Sequence, residues 1–374
     1  MAPDLARPMY DTDELVINLG PQHPATHGVL RVVLKLDGEK VVDADVFIGY
    51  LHRGVEKLSE SRDWSQIVLL TDRLDYVASA AANLAYVETV EKLLSLEVPR
   101  RAKYIRTILA ELQRLASHLL WLGSHAMDIG AVTVFLYCLR ERELILDLFE
   151  EFCGARLTYN SMRIGGLPQD LPPGWDKKAL QFCAIQAEKL QEYETLLTQN
   201  RIWLQRTREI GVISAADAVA VALCGPPLRG SGVARDVRKA EPYAAYGEME
   251  FDVPVGTSGD TYDRYLVRLE EIRQSLRIIR QAVEGLPEGP VMGKVPRLIK
   301  PPAGETYHAN ESPKGEIGFF IASDGKTTSP YRLRVRPPSF CNLQGLPRLV
   351  RGHLVADVVA IIGTIDIVLG EVDR

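Results

Sequence analysis

Gly20-Pro21-Gln22-His23-Pro24-Ala25-Thr26-His27-Gly28 is the stretch around which the chain reads. It holds two of the chain's seven histidines, with Pro21 before the first, Pro24 between them and a glycine at each end. Proline fixes φ and lacks an N–H, and glycine opens positive φ, so the stretch reads as a rigid irregular loop. On either side lie the apolar runs Leu15-Val16-Ile17-Asn18-Leu19 and Val29-Leu30-Arg31-Val32-Val33-Leu34-Lys35-Leu36, both strand-like. A rigid loop between strands is a good mount for an imidazole. The plain reading of a histidine beside proline is nevertheless a turn residue. Pro24 excludes the helical spacing of two histidines that a zinc site wants, and no cysteine or carboxylate lies in the loop to complete a metal shell. If the loop has chemistry, it is proton or hydrogen-bond donation.

Working outward, Asp37-Gly38 is a hairpin turn into a third strand over 40–48, giving a small antiparallel lobe. Residues 71–94 read as one helix, with Asp72, Tyr76, Ser79 and Asn83 on one stripe. A second helix follows Pro99 and runs to about 127. Its side bearing Glu111, Arg114, His118 and His125 is otherwise so apolar that the charges read as an internal polar network. Asp128 sits just past it. Further helices are expected over 132–152, 176–208, 260–284 and 349–362, with Ser214 as an N-cap and 160–175 as an ordered loop. The glycine-rich stretch 225–232 lacks either nucleotide-binding pattern and reads as a chain reversal. Residues 316–322 and 331–335 read as a hairpin around Asp324-Gly325; Arg332, Arg334 and Arg336 alternate along it as a basic edge.

The expected architecture is α+β and mainly helical. It divides into a tail over 1–12, a β lobe with the histidine loop over 13–55, a helix-bundle core over 56–290 and a C-terminal hairpin-and-helix region over 291–374.

With 46% hydrophobic and 25% charged residues, the 374-residue chain has the composition of a globular protein with a sizeable core. A net charge of −5 argues against nucleic acid as a partner. Five dispersed cysteines without CxxC spacing fit a reducing compartment. The N-terminus has no apolar signal-peptide core. No apolar run reaches the ~18–20 residues of a membrane span, so any membrane association goes through a partner or a surface.

Two separated places decide a resemblance: Gly49-Tyr50-Leu51-His52-Arg53-Gly54-Val55-Glu56-Lys57, and the run from Asp366 through Gly370-Glu371-Val372-Asp373-Arg374. In nickel–iron hydrogenase large subunits the corresponding places carry paired cysteines that hold the metal. The chain resembles that scaffold with the thiols gone, which excludes hydrogenase chemistry. Together with the histidine loop, Arg73-Leu74-Asp75-Tyr76, Arg229-Gly230-Ser231-Gly232 and Ser323-Asp324-Gly325, these runs make the chain similar from about Leu15 to Arg374 to one family. It is the D-subunit family of proton-pumping NADH:quinone oxidoreductase, respiratory complex I. The chain departs from it in one place. Many relatives carry a longer segment where 290–304 is short here.

The resemblance implies a hydrogenase-large-subunit-like helix bundle and a set of roles. His27 would donate to one carbonyl of the quinone substrate and Tyr76 to the other, with Asp128 as the carboxylate partner of His27. Arg53 and His52 would lie beside the terminal iron–sulfur cluster of a neighbouring subunit. The chain would have no metal of its own, the iron–sulfur clusters and FMN residing in partners. Those partners are the B and I iron–sulfur subunits, the C subunit and the membrane-embedded H subunit. NAD(H) would be met only through the complex, on the cytoplasmic face of the cell (inner) membrane. Two alternatives stay open: a ferredoxin- or F420-fed quinone oxidoreductase, and a non-catalytic scaffold derived from a hydrogenase.

Overall fold

A computed structural model describes residues 15–26 and 28–374. The expected tail and His27 therefore lie outside the described residues. Three strands, β1 (Leu15–Leu19), β2 (Arg31–Asp37) and β3 (Lys40–Phe47), form an antiparallel sheet in that order, with Ile17 opposite Leu34 and Val33 opposite Asp45. Strand period places Val32, Leu34 and Leu36 on one buried face. Between β1 and β2, Pro24–Thr26 form a single 3-10 turn.

Short helices α1 (Val55–Ser59) and α2 (Val68–Thr71) lead into α3 (Ser79–Leu94), α4 (Arg100–Asp128) and α5 (Val132–Cys153). Then come α6 (Trp175–Leu197), α7 (Arg201–Thr207), α8 (Ala215–Ala220), α9 (Pro226–Arg229), α10 (Val237–Ala240) and α11 (Thr261–Glu284). A second antiparallel sheet of β4 (Gly304–Ser312), β5 (Gly315–Ser323) and β6 (Arg332–Arg336) precedes α12 (Pro338–Leu343), α13 (Leu346–Val350), α14 (Val355–Ile365) and α15 (Leu369–Asp373).

The axis of the body is α4, against which α3, α5, α11 and α14 all pack. Its stripe Ile105, Ile108, Leu112, Leu115, Leu119 and Leu122 is wholly buried. Each such side chain contributes about 1.5–3 kcal/mol of burial. The close approach of α5 depends on Gly123, where a Cβ would come within 3.2 Å of the Phe135 backbone. A second apolar cluster joins the inner face of β2 to Leu346, Val358, Ile361, Ile365, Leu369 and Val372. The N-terminal sheet and the C-terminal helices thereby share one core.

Several expectations change. Residues 71–94 are not one helix: the chain leaves α2 at Thr71, turns through residues 72–78 and re-enters at Ser79. Asp75 causes the break, because its Oδ1 accepts from the backbone N–H groups of Val77 and Ala78 (3.0 and 3.2 Å), competing with the helix. The helix expected over 176–208 is two, because Asn200 caps α7 by accepting from Ile202 and Trp203 N–H. The helix expected over 349–362 is likewise split into α13 and α14, with Gly352 at φ 84° between them. Residues 225–232 contain the short helix α9, and β4 extends the expected hairpin to three strands. Asp128 is the final residue of α4 rather than lying beyond it. The Ser214 cap is present, its Oγ accepting from Asp217 N–H at 3.1 Å.

Candidate functional site

Tyr76 lies half-buried in the turn between α2 and α3. Asp75 fixes that turn and reaches the other way to Lys314, Oδ2 to Nζ 3.1 Å. Lys314, from the tight turn between β4 and β5, is buried; its Nζ also donates to Ser117 Oγ of α4 at 3.0 Å and stands 3.8 Å from Asp366 Oδ2. Burial opposes its charge, but the carboxylates of Asp366, Asp75 and Glu371 outweigh that and hold the ammonium above its ordinary pKa. For Tyr76, burial and then the Asp75 carboxylate hold the phenol above its usual value, against the pull of Lys314 and Arg53. The phenol is thus a protonated donor at neutral pH.

One face of the Tyr76 ring rests on α15. A Cβ at Gly370 would come within 3.1 Å of the ring's Cδ1 and Cε1, and within 2.5 Å of the Leu74 carbonyl oxygen. The Gly370 carbonyl accepts from Arg53 Nη2 at 2.5 Å. Burial lowers the pKa of the Arg53 guanidinium, with Tyr76 and Asp373 acting in the opposite sense. Beside it, Asp373 accepts from Gly49 and Leu51 N–H (2.8 and 2.7 Å), and its carbonyl pairs with His52 Nδ1 at 2.6 Å. Glu56 accepts from Val335 N–H and Arg374 Nε (3.0 and 3.1 Å) and faces Arg332 and Arg334. A cleft of about 360 Å³ opens here, lined among others by His52, Glu56, Arg334, Phe340 and Asp373. A larger one, about 790 Å³, lies between α3 and the 241–244 segment and contains none of the expected site residues.

His27 itself lies outside the described residues, but its flanks are placed. Thr26 Oγ1 donates to the His23 carbonyl at 2.7 Å, closing the loop. A Cβ at Gly28 would lie 3.2 Å from Leu369 Cδ1. Gly28 and Tyr76 therefore pack on consecutive residues of α15, Leu369 and Gly370. Tyr76, Arg53 and the flank of the histidine loop are brought together at this helix, with His52 one residue from Arg53. Asp128, half-buried at the end of α4, belongs to a different element.

Sequence reasoning misses the parts played by Asp75, Lys314, Gly370 and Glu371. The available signal is Asp75 directly beside Tyr76, and the acids Asp366, Glu371 and Asp373 crowded into a short apolar run.

The polar side of α4 is internal, as its pattern indicates. Glu111, Arg114 and His118 are buried and join Arg229, Asp236, Arg238, Glu271 and Glu311 in one network. His118 Nε2 meets Glu271 Oε2 at 2.9 Å. Burial is the main influence on the imidazole and drives it down to about 4, so it donates from a neutral ring to an ionised Glu271. Among the described residues no cluster of His, Cys, Asp and Glu could hold a metal ion, and no helix is long and apolar enough to cross a membrane.

Comparison with known proteins decides the family. The family described as respiratory-chain NADH dehydrogenase, 49 Kd subunit, matches residues 128–301 and 295–374. The chain belongs to that family. A relative from Solibacter usitatus, the second D subunit of its NADH-quinone oxidoreductase, is 58% identical over 97% of this chain and 98% of its own. The NADH-quinone oxidoreductase D subunits of Geotalea uraniireducens and Desulforamulus reducens are 50% and 53% identical, over 98% and 97% of this chain and 100% and 99% of theirs. As a member of the 49 Kd family the chain is one component of an oxidoreductase complex, and its partners are the other subunits of that complex. The mixed fold, largely helical with two small antiparallel sheets, is the hydrogenase-large-subunit-like architecture expected of the family.

Proposed function

We propose that this chain is the quinone-site subunit of a proton-translocating NADH:quinone oxidoreductase. Electrons reach the quinone from the terminal iron–sulfur cluster of a neighbouring subunit, and this chain supplies the walls and the protons. Two-electron reduction of a quinone produces a strongly basic dianion. Donors at its two oxygens stabilise the developing charge and protonate it. Tyr76 is one donor and His27 the other, with Asp128 supporting the imidazole. The cationic Arg53, beside His52, faces the partner's cluster and favours its reduced form. NADH, FMN and the other iron–sulfur clusters belong to partner subunits. The chain sits peripherally on the cytoplasmic side of the membrane.

The observation that carries this reading is the convergence on α15. The flank of the histidine loop, the Tyr76 ring and Arg53 all meet consecutive residues there, Leu369 and Gly370. The test uses the assembled complex. Tyr76→Phe and His27→Ala should each lower quinone reduction by about 10²-fold while NADH still reduces the clusters at the native rate. Native quinone reduction in both variants would refute the assignment, whereas equal loss of both activities would mean misassembly.

A further inference from the structure

Behind Tyr76 the fold buries more acid than base. Three carboxyl groups, Asp75, Asp366 and Glu371, surround the ammonium of Lys314. Glu371 is fully buried on α15, next to the Gly370 that carries the Tyr76 ring. Its Oε1 accepts from Ser339 N–H at 3.0 Å and from Ser339 Oγ, whereas its Oε2 has no hydrogen-bond partner among the described residues. An ionised carboxylate with one bare oxygen in the protein interior is costly, and a proton on that oxygen removes the charge.

The charged and titratable groups around it come from every packed element. They are Asp75 from the α2–α3 turn, Lys314 from the β4–β5 turn and Cys341 from α12, with Asp366 at the end of α14 facing Lys314. On its own helix, Asp373 is engaged with residues 49 and 51. Burial and then the Asp75 carboxylate push Glu371 up to about 8. Asp75 and Lys314 act electrostatically on both Glu371 and Tyr76, so the two acids share one field.

We propose that Glu371 is the proton reserve of Tyr76, loaded before turnover and emptied once Tyr76 has protonated the quinone. This rests on the quinone-site reading above. In the step, the Tyr76 O–H bond breaks and its proton passes to a quinone oxygen already reduced by electrons from the partner's cluster. The Glu371 O–H bond then breaks and its proton restores the phenol, while the Lys314 ammonium stabilises the carboxylate left behind. The Glu371 carboxylate is reloaded from solvent.

The test is quinone reduction by the assembled complex from about pH 6 to 9, with cluster reduction by NADH as the control. The native rate should fall as pH rises past the point where Glu371 empties. Glu371→Gln should be about ten-fold slower at neutral pH and lack that fall, and Glu371→Asp should regain part of both. Ser339→Ala removes a donor that favours the ionised carboxylate, so its alkaline fall should move to higher pH. A native rate and native alkaline fall in Glu371→Gln would overturn the proposal. If Glu371→Gln does not assemble, an unmoved fall in Ser339→Ala overturns it. Should Tyr76→Phe be slow while Glu371→Gln is native, only the proton reserve fails. Should Tyr76→Phe be fully active, the quinone-site reading fails with it.

Discussion

Gly370→Ala is the most direct probe of how α15 positions Tyr76. Two effects oppose each other. Alanine in a helix is favoured over glycine by about 1 kcal/mol. The added methyl, however, would sit 2.5 Å from the Leu74 carbonyl oxygen and 3.1 Å from two Tyr76 ring carbons. The first contact is roughly 1 Å inside ordinary van der Waals separation. Its partner is backbone, which cannot swing away as a side chain would. Overpacking of this kind costs about 1–3 kcal/mol, so the clash outweighs the helix gain and α15 shifts. The net loss of stability stays modest, on the order of 1 kcal/mol. A displacement near 1 Å at a reacting group costs about 10²-fold in rate. The shift also carries the Gly370 carbonyl away from Arg53. The expected result is quinone reduction lowered ~10–100-fold, with NADH-driven cluster reduction and thermal inactivation nearly native. A native rate of quinone reduction in this variant would refute the argument that the Tyr76–α15 contact sets the geometry.

On the proposed arrangement, in which Arg53 faces the partner's cluster, Arg53→Ala should lower that cluster's midpoint potential, read by redox titration of its paramagnetic signal. Arg229→Ala leaves Glu271 and Glu311 buried without their shared guanidinium; it should cost about 3–5 kcal/mol, seen as a lowered temperature of inactivation of the complex. His118 is held neutral, brought down from its ordinary 6.5 to about 4. Below the unfolded value only the unfolded chain binds that proton, so stability present above about pH 6.5 is progressively lost as pH falls to about 4. His118→Gln should flatten that acid limb in a thermal-stability series against pH. Glu111 and Asp236, both held at about 2 in the fold, add stability above their unfolded values. It is lost as pH falls from about 4 toward 2. Their protonation should therefore bring unfolding in that lower window.

The parts of the fold legible in the sequence are those with local causes. Strand alternation in Val32, Leu34 and Leu36, the hairpin at Asp37-Gly38 and the cap at Ser214 are written within a few residues. The internal network of α4 is readable because the positions around Glu111, Arg114 and His118 are apolar, which leaves no wet face for them. Tyr76 reads as helical because Asp72, Tyr76, Ser79 and Asn83 have helical spacing. Asp72 does meet Asn83, with Oδ1 accepting from Nδ2 at 2.9 Å, but across a turn that Asp75 creates. Lys314, between Pro313 and Gly315, carries no local signal of burial. It is buried because Asp75 and Ser117 reach it from distant parts of the chain, and no local periodicity reports such partners. The same holds for Glu371 and Ser339, and for the meeting of Gly28 with Leu369. The histidine loop and the Arg53 turn are recognisable as motifs; their convergence on one helix is not.

The Asp373 bonds to Gly49 and Leu51 have a consequence for how the protein matures. Their members stand 324 and 322 positions apart. Bringing ends so distant together costs roughly 5 kcal/mol of chain entropy, which a few hydrogen bonds do not repay. The intervening helical body must therefore condense first and hold the two segments near each other. The pairing of the Arg53 turn with α15 thus forms late in folding, after the scaffold is complete, so half-built copies would lack this corner of the molecule.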